Sequence, residues 1–118
     1  MEDPVMIEVR RPVDDELCGF VVSVDGGWHA LTLFHGVLGA HDSRADAERM
    51  VRELGLASLA RRWQFIDHEA RSDDIVCIQE AWPGRVTIVL DAYGMPGAPK
   101  RTLTADELAT GALELRLV

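Results

Sequence analysis

The sequence predicts one α+β domain over residues 1–118, with a mixed or antiparallel sheet of about five to seven strands packed on one main helix and two short ones. Three observations carry this. Asp42 to Leu56 has the period and both end signals of an amphipathic helix. Two apolar runs fold back on themselves, around Asp25-Gly26-Gly27 and around Pro83-Gly84. Strand-like segments precede and follow the helix, an order that suits a segregated sheet.

Taken in order, Val5, Ile7 and Val9 alternate with Met6, Glu8 and Arg10, the period of a half-buried strand that Pro12 ends. Asp14-Asp15-Glu16 forms an exposed link to a second strand, Leu17 to Val24. The turn at Asp25-Gly26-Gly27 returns the chain as a third strand, Trp28 to Phe34. Its register is open. A three-residue loop pairs Val24 with Trp28 and lines up Phe20, Val22, Ala30 and Phe34, whereas a two-residue loop brings Leu31 and Leu33 to that face. Both strands are apolar on both sides, which predicts a central position covered on each face.

Gly36 to Ala40 adds a short fourth strand running into the main helix. Ser43 caps that helix, and Asp46 at N3 completes a capping-box pattern with the shorter acid. Ala47, Met50, Val51 and Leu54 form the apolar stripe, with Arg44, Glu48, Arg49, Arg52 and Glu53 opposite. Gly55 is expected to turn left-handed at C′, with Leu56 covering Val51 in a Schellman ending. Ser58 opens a second helix in which Leu56, Leu59, Ala60 and Trp63 repeat the stripe, and Gln64 to Glu69 reads equally as strand or helix tail.

In the second hairpin, Ile75 to Trp82 and Arg85 to Ala92 flank Pro83-Gly84 and place Trp82 opposite Arg85. That register puts Ile75, Cys77 and Ala81 with Val86, Ile88, Leu90 and Ala92 on the core face, and Glu80, Arg85, Thr87 and Asp91 on the other. An irregular stretch, YGMPGAPKR, leads to a short helix opened by a capping box from Thr104 to Glu107 and ended by Gly111. Leu113, Leu115 and Leu117 alternate with polar residues as the last strand.

Twelve basic against twenty acidic residues leave a net charge of −8, a field that repels phosphate backbones and anionic lipid surfaces. Arg10-Arg11, Arg61-Arg62 and Lys100-Arg101 are isolated doublets, so neither nucleic acid nor membrane is an expected partner. The start, MEDPVMIEVR, lacks the apolar core of a signal peptide, and no run approaches eighteen apolar residues, so the chain reads as cytoplasmic. There is no asparagine, and Lys100 stands beside eleven arginines, a skew that points to a GC-rich bacterial genome. Cys18 and Cys77 lie within strand-like runs, where cysteine packs as a small reduced hydrophobe.

Candidate chemistry is sparse. His29, His35, His41 and His68 lack the i, i+4 spacing of a helical zinc pair, and an extended chain would hold His35 and His41 about 20 Å apart. Asp67-His68-Glu69 would divide its ligands between two strand faces. Ser43 adjoins His41-Asp42, but its hydroxyl is assigned to the helix cap. Gly36 and Gly39 have no nearby cation to complete a phosphate cradle. Asp14-Asp15 and Asp73-Asp74 fall in expected loops as solvated acids. No cofactor, metal or catalytic set is expected.

The stretch Gly94 to Arg101 is the best candidate for contact with something else: Met95 between prolines, then Lys100-Arg101 as the cationic end of an acidic molecule. Trp82 with Arg85 is a second, as a cation–π pair at a strand end. The leading expectation is a non-catalytic protein–protein interaction module, an adaptor, inhibitor, immunity-type or regulatory protein, using Met95, Lys100, Arg101, Trp82 and Arg85. The alternative is a small-molecule-binding domain or an enzyme with a site assembled from scattered residues, at a homodimer interface in one version.

Overall fold

The computed structural model describes residues 5–90 and 99–118. Nine strands form one mixed sheet: β1 (Met6–Arg10), β2 (Leu17–Val24), β3 (Gly27–Leu31), β4 (Val37–His41), β5 (Arg62–Asp67), β6 (Ser72–Trp82), β7 (Arg85–Leu90), β8 (Lys100–Thr104) and β9 (Leu113–Leu117). Helix α1 (Arg44–Leu54) and one turn of 3-10 helix (Ala57–Ala60) lie between β4 and β5, and α2 (Ala105–Ala109) lies between β8 and β9. The α+β class is as expected, and the sheet is larger than the expected five to seven strands.

The spatial order is β1-β2-β3-β4-β9-β5-β6-β7-β8. Two antiparallel meanders, β1–β4 and β5–β8, are therefore joined by the last strand of the chain. Strand β9 pairs antiparallel with β5 along its whole length and parallel with β4 through Val37 and Arg116.

Helix α1 starts as its sequence dictates, with the Ser43 hydroxyl accepting from Asp46 N at 3.2 Å. Ala47 and Val51 are buried, and α1 packs across β1, β2, β3 and β4. Its end departs from expectation. Gly55 is right-handed, at φ −53°, and the chain runs on into the 3-10 turn. Glycine serves close approach here, because a Cβ on Gly55 would lie 2.4 Å from the Cys18 carbonyl oxygen of β2. The second helix is likewise shorter than the stripe through Trp63 implied. Ser58 donates to the Gly55 carbonyl, the Trp63 indole donates to the Ser58 carbonyl, and Trp63 is the second residue of β5.

The first hairpin takes the two-residue loop: Val24 pairs with Gly27 and Phe20 with Leu31. Strand β3 ends at Leu31, and Leu33 and Phe34 turn away, Phe34 into the core against Trp63 at 5.5 Å, edge to face. The second hairpin keeps Trp82 opposite Arg85, but Gln79 is an extra residue between Ile78 and Glu80. This bulge reverses the facing of the start of β6. Val76 and Ile78, rather than Ile75 and Cys77, share the core side with Val86, Ile88 and Leu90, and Ile75 is exposed. The expectations for Asp91 and Ala92 lie outside the described residues.

Strand parity, carried through the pairings, puts α1, the 3-10 turn and both buried clusters on one side of the sheet. Leu38 packs against both clusters. Among the described residues no helix covers the other side, so β2 and β3 are central in the sheet yet covered on one face only. Strands β9-β5-β6-β7-β8 curl around the larger cluster. Arg101 of β8 reaches to 3.6 Å from Asp67 of β5, where a flat sheet would hold strands three places apart by about 14 Å.

Backbone approach at Gly55 yields a signed prediction. Helix propensity alone would have Gly55→Ala stabilise the fold by about 0.5–1 kcal/mol. Overpacking against Cys18 should instead destabilise it by about 1–3 kcal/mol, read as a lowered urea midpoint.

Candidate functional site

The five sequence-predicted binding residues do not form one site. Met95 lies outside the described residues. Trp82 and Arg85 meet at the tip of the β6–β7 hairpin, with the guanidinium carbon 4.3 Å from the ring centre. Strand alternation then divides the basic doublet. Lys100 pairs with Val89 and belongs to the uncovered face with Thr87, Thr102 and Arg85, whereas Arg101 pairs with Ile88 and turns into the curl. Arg85 and Lys100 stand at opposite ends of that β7–β8 face, about 13 Å apart along the strands.

Arg101 marks the more structured site. Its guanidinium carbon sits 5.3 Å from the centre of the Phe65 ring and its Nη1 lies 3.6 Å from Asp67 Oδ2. The side chain thus spans from the edge strand to β5. Asp67 is held in turn by Glu69 N and Ala70 N, both donating to Oδ1. Beneath Arg101 the curled sheet is filled at one end by Phe34, Trp63 and Leu103 and opens at the other. The opening is a cavity of about 330 Å³ whose floor is Phe65, Val76, Ile88 and Leu90 and whose rim carries Asp74 and Arg101. Cavities at barrel mouths with an apolar lining and a few charged groups have the general form of ligand sites.

Sequence reasoning missed Phe65, Asp67 and Asp74. The signal for the first two was present, since Trp63, Phe65 and Asp67 alternate, but the segment also suited a helix tail. Asp74 was expected in a loop, and it lies in β6 opposite Phe65.

The uncovered face offers a different kind of surface. On the first meander, Met6, Val24 and Val37 are 44%, 37% and 47% exposed. Phe20 and Val22 are half-buried between them, with Phe20 opposite Glu8 and Val22 opposite Met6. His35 closes one end of this patch, edge-on to Phe20 at 5.0 Å. Strands β4 and β9 diverge beyond their single pairing and leave a cleft of about 360 Å³ between His35, Val37, Leu108 and Arg116.

The remaining candidates are separated. His41 Nε2 lies 3.1 Å from Met50 Sδ, and His68 Nε2 3.2 Å from Glu114 Oε2. Among the described residues no three His, Cys, Asp or Glu side chains converge as a metal site. Both cysteines are free, and burial pushes the Cys18 thiol above its ordinary pKa, away from nucleophilic thiolate chemistry. Asp14, in the exposed link after β1, is held low by Glu16 N and by Arg11 at 2.7 Å. No helix among the described residues is long and apolar enough to cross a membrane. No protein-family model, curated protein or solved structure matches the chain.

Burial pushes the His35 imidazole below its ordinary value of 6.5, and the Asp106 carboxylate opposes this in part. Between the lowered folded value and the unfolded one, the unfolded chain binds more protons, so this contribution is complete above the unfolded value and is lost as pH falls through that window. From about pH 7 to pH 5.5 the urea midpoint should decline less steeply in His35→Asn than in wild type. Asparagine tolerates the positive φ of 70° at this position. Parallel curves would assign the pH dependence elsewhere.

Proposed function

We propose that the protein is a non-catalytic binding module that docks another protein on the uncovered face of its first meander, in the manner of an adaptor, inhibitor, immunity-type or regulatory protein. The observation that carries this reading is the run of apolar side chains Met6, Phe20, Val22, Val24 and Val37 across β1, β2 and β4, on a side that no helix covers among the described residues. Scattered exposed hydrophobics need no explanation, but a contiguous patch on a rigid sheet is a feature of interaction surfaces. Charge adds a preference. A molecule at −8 is drawn to a partner of opposite sign, and that long-range term acts on encounter rate and weakens with salt.

The reading shifts weight from the loop before β8 to the sheet. Lys100 and Arg101 no longer act as one cationic contact, because they serve opposite faces. Trp82 and Arg85 lie on the same uncovered side as the patch but at the far meander, where they extend the surface rather than centre it.

The test is capture from a lysate of the source cells at low and moderate salt, followed by titration of the purified partner. Val24→Glu with Val37→Glu changes two exposed positions and should weaken binding at least tenfold while leaving the unfolding free energy within about 0.5 kcal/mol of wild type. Lys100→Ala with Arg101→Ala should retain the partner. If the second pair abolishes binding and the first does not, the sheet-face reading is wrong. Concentration-dependent dimerisation lost in the first pair would mean that the face joins two copies of this chain instead.

A further inference from the structure

The mouth of the curled sheet lies on the side opposite the docking face, and its chemistry is of another kind. Its floor consists of core side chains that happen to end at an opening: Val76, Ile88 and Phe65 are 1%, 3% and 7% exposed. A ligand group entering there exchanges water for apolar lining without any core rearrangement. Above the floor the banks carry opposite charges. Strand β8 supplies Arg101, and β6 supplies Asp74. Among the described residues Asp74 makes no ion pair or hydrogen bond of its own side chain, and Arg101 makes one ion pair, at 3.6 Å, longer than a hydrogen bond. Charge capacity at this rim is therefore left over after folding.

We infer that the cavity bounded by Phe65, Val76 and Ile88 and rimmed by Asp74 and Arg101 binds a small zwitterion with an apolar side chain, the chemical class of the free apolar α-amino acids. The carboxylate of such a ligand meets Arg101, its ammonium meets Asp74, and its side chain rests on the apolar floor. Arg101 is suited to the first role because its planar fork presents several donors to a carboxylate while its flat face remains on Phe65. Overall charge separates this ligand from simpler ones. At −8 the protein repels a plain organic anion, and a plain organic cation would leave Arg101 facing its positive group. A zwitterion is neutral in the far field and satisfies both banks at close range.

Titration calorimetry of the full chain with L-phenylalanine and L-leucine tests the inference, with 3-phenylpropanoate and 2-phenylethylamine as probes lacking one charge each. Saturable binding of at least one amino acid is expected, with both single-charge probes at least tenfold weaker, the fold-change that loss of one charge-assisted contact produces. Asp74→Asn should erase the advantage of L-phenylalanine over 3-phenylpropanoate. Lys100→Gln, on the opposite face of β8, should leave both affinities unchanged. Arg101→Gln should abolish binding, and Arg101→Lys should restore part of it if charge is what the ligand uses. No binding of either amino acid up to about 10 mM, equal affinity for the single-charge probes, or indifference to Asp74→Asn would each overturn the inference. None of these results depends on Val24 or Val37, so the cavity and the docking face stand or fall separately.

Discussion

Five residues at the end of the chain, Leu113–Leu117, hold the two meanders in one sheet. Without them β4 and β5 would each present an unpaired edge, the arrangement that invites association with other chains. Strand β9 resolves both edges at once, though unequally: five pairings tie it to β5 and one ties it to β4. Its alternation does the rest. Leu113, Leu115 and Leu117 turn to the large apolar cluster, and Glu114 and Arg116 face water, linked to each other at 2.9 Å. The last strand in sequence order is therefore the one that joins the two meanders.

Curvature follows from the second meander's need to bury its own face. Helix α1 covers β1 to β4, but among the described residues no comparable helix lies over β5 to β8. The 3-10 turn and α2 are too short for that, so the sheet wraps around its own side chains, bending at the Gln79 bulge as bulged strands do. Phe34, delivered by the loop after β3, and Trp63 fill one end, and a hydrogen bond from Gly84 N to the Leu33 carbonyl ties that loop to the hairpin tip. The other end stays open beneath Arg101. The cavity is the consequence of a sheet that closes on itself part-way.

These two solutions leave the molecule with two unlike surfaces. One is broad, gently apolar and built on paired strands whose backbone groups are already satisfied. The other is small, concave and charged at its rim. Rigid scaffolding serves both, because neither depends on a long connecting segment among the described residues.

The local signals in the sequence determined what short-range physics can determine. Ser43 and the Thr104–Glu107 box start their helices, Asp25-Gly26 and Pro83-Gly84 reverse the chain, and Trp82 meets Arg85 across a turn of two residues. Each rests on hydrogen bonds or contacts among neighbours in the chain. Tertiary structure decided the rest. Gly55 reads as a helix-ending glycine until Cys18 of β2 is seen against it. Ile75 and Cys77 look like core until one inserted residue at Gln79 turns Val76 and Ile78 inward instead. Lys100 and Arg101 are one doublet in sequence and two faces in space, and Phe65 and Asp74 join Arg101 only because the sheet curls. Strand order, register and curvature are set by pairing between distant segments, where a change of one residue exchanges the faces, and no local pattern encodes which distant strand will arrive.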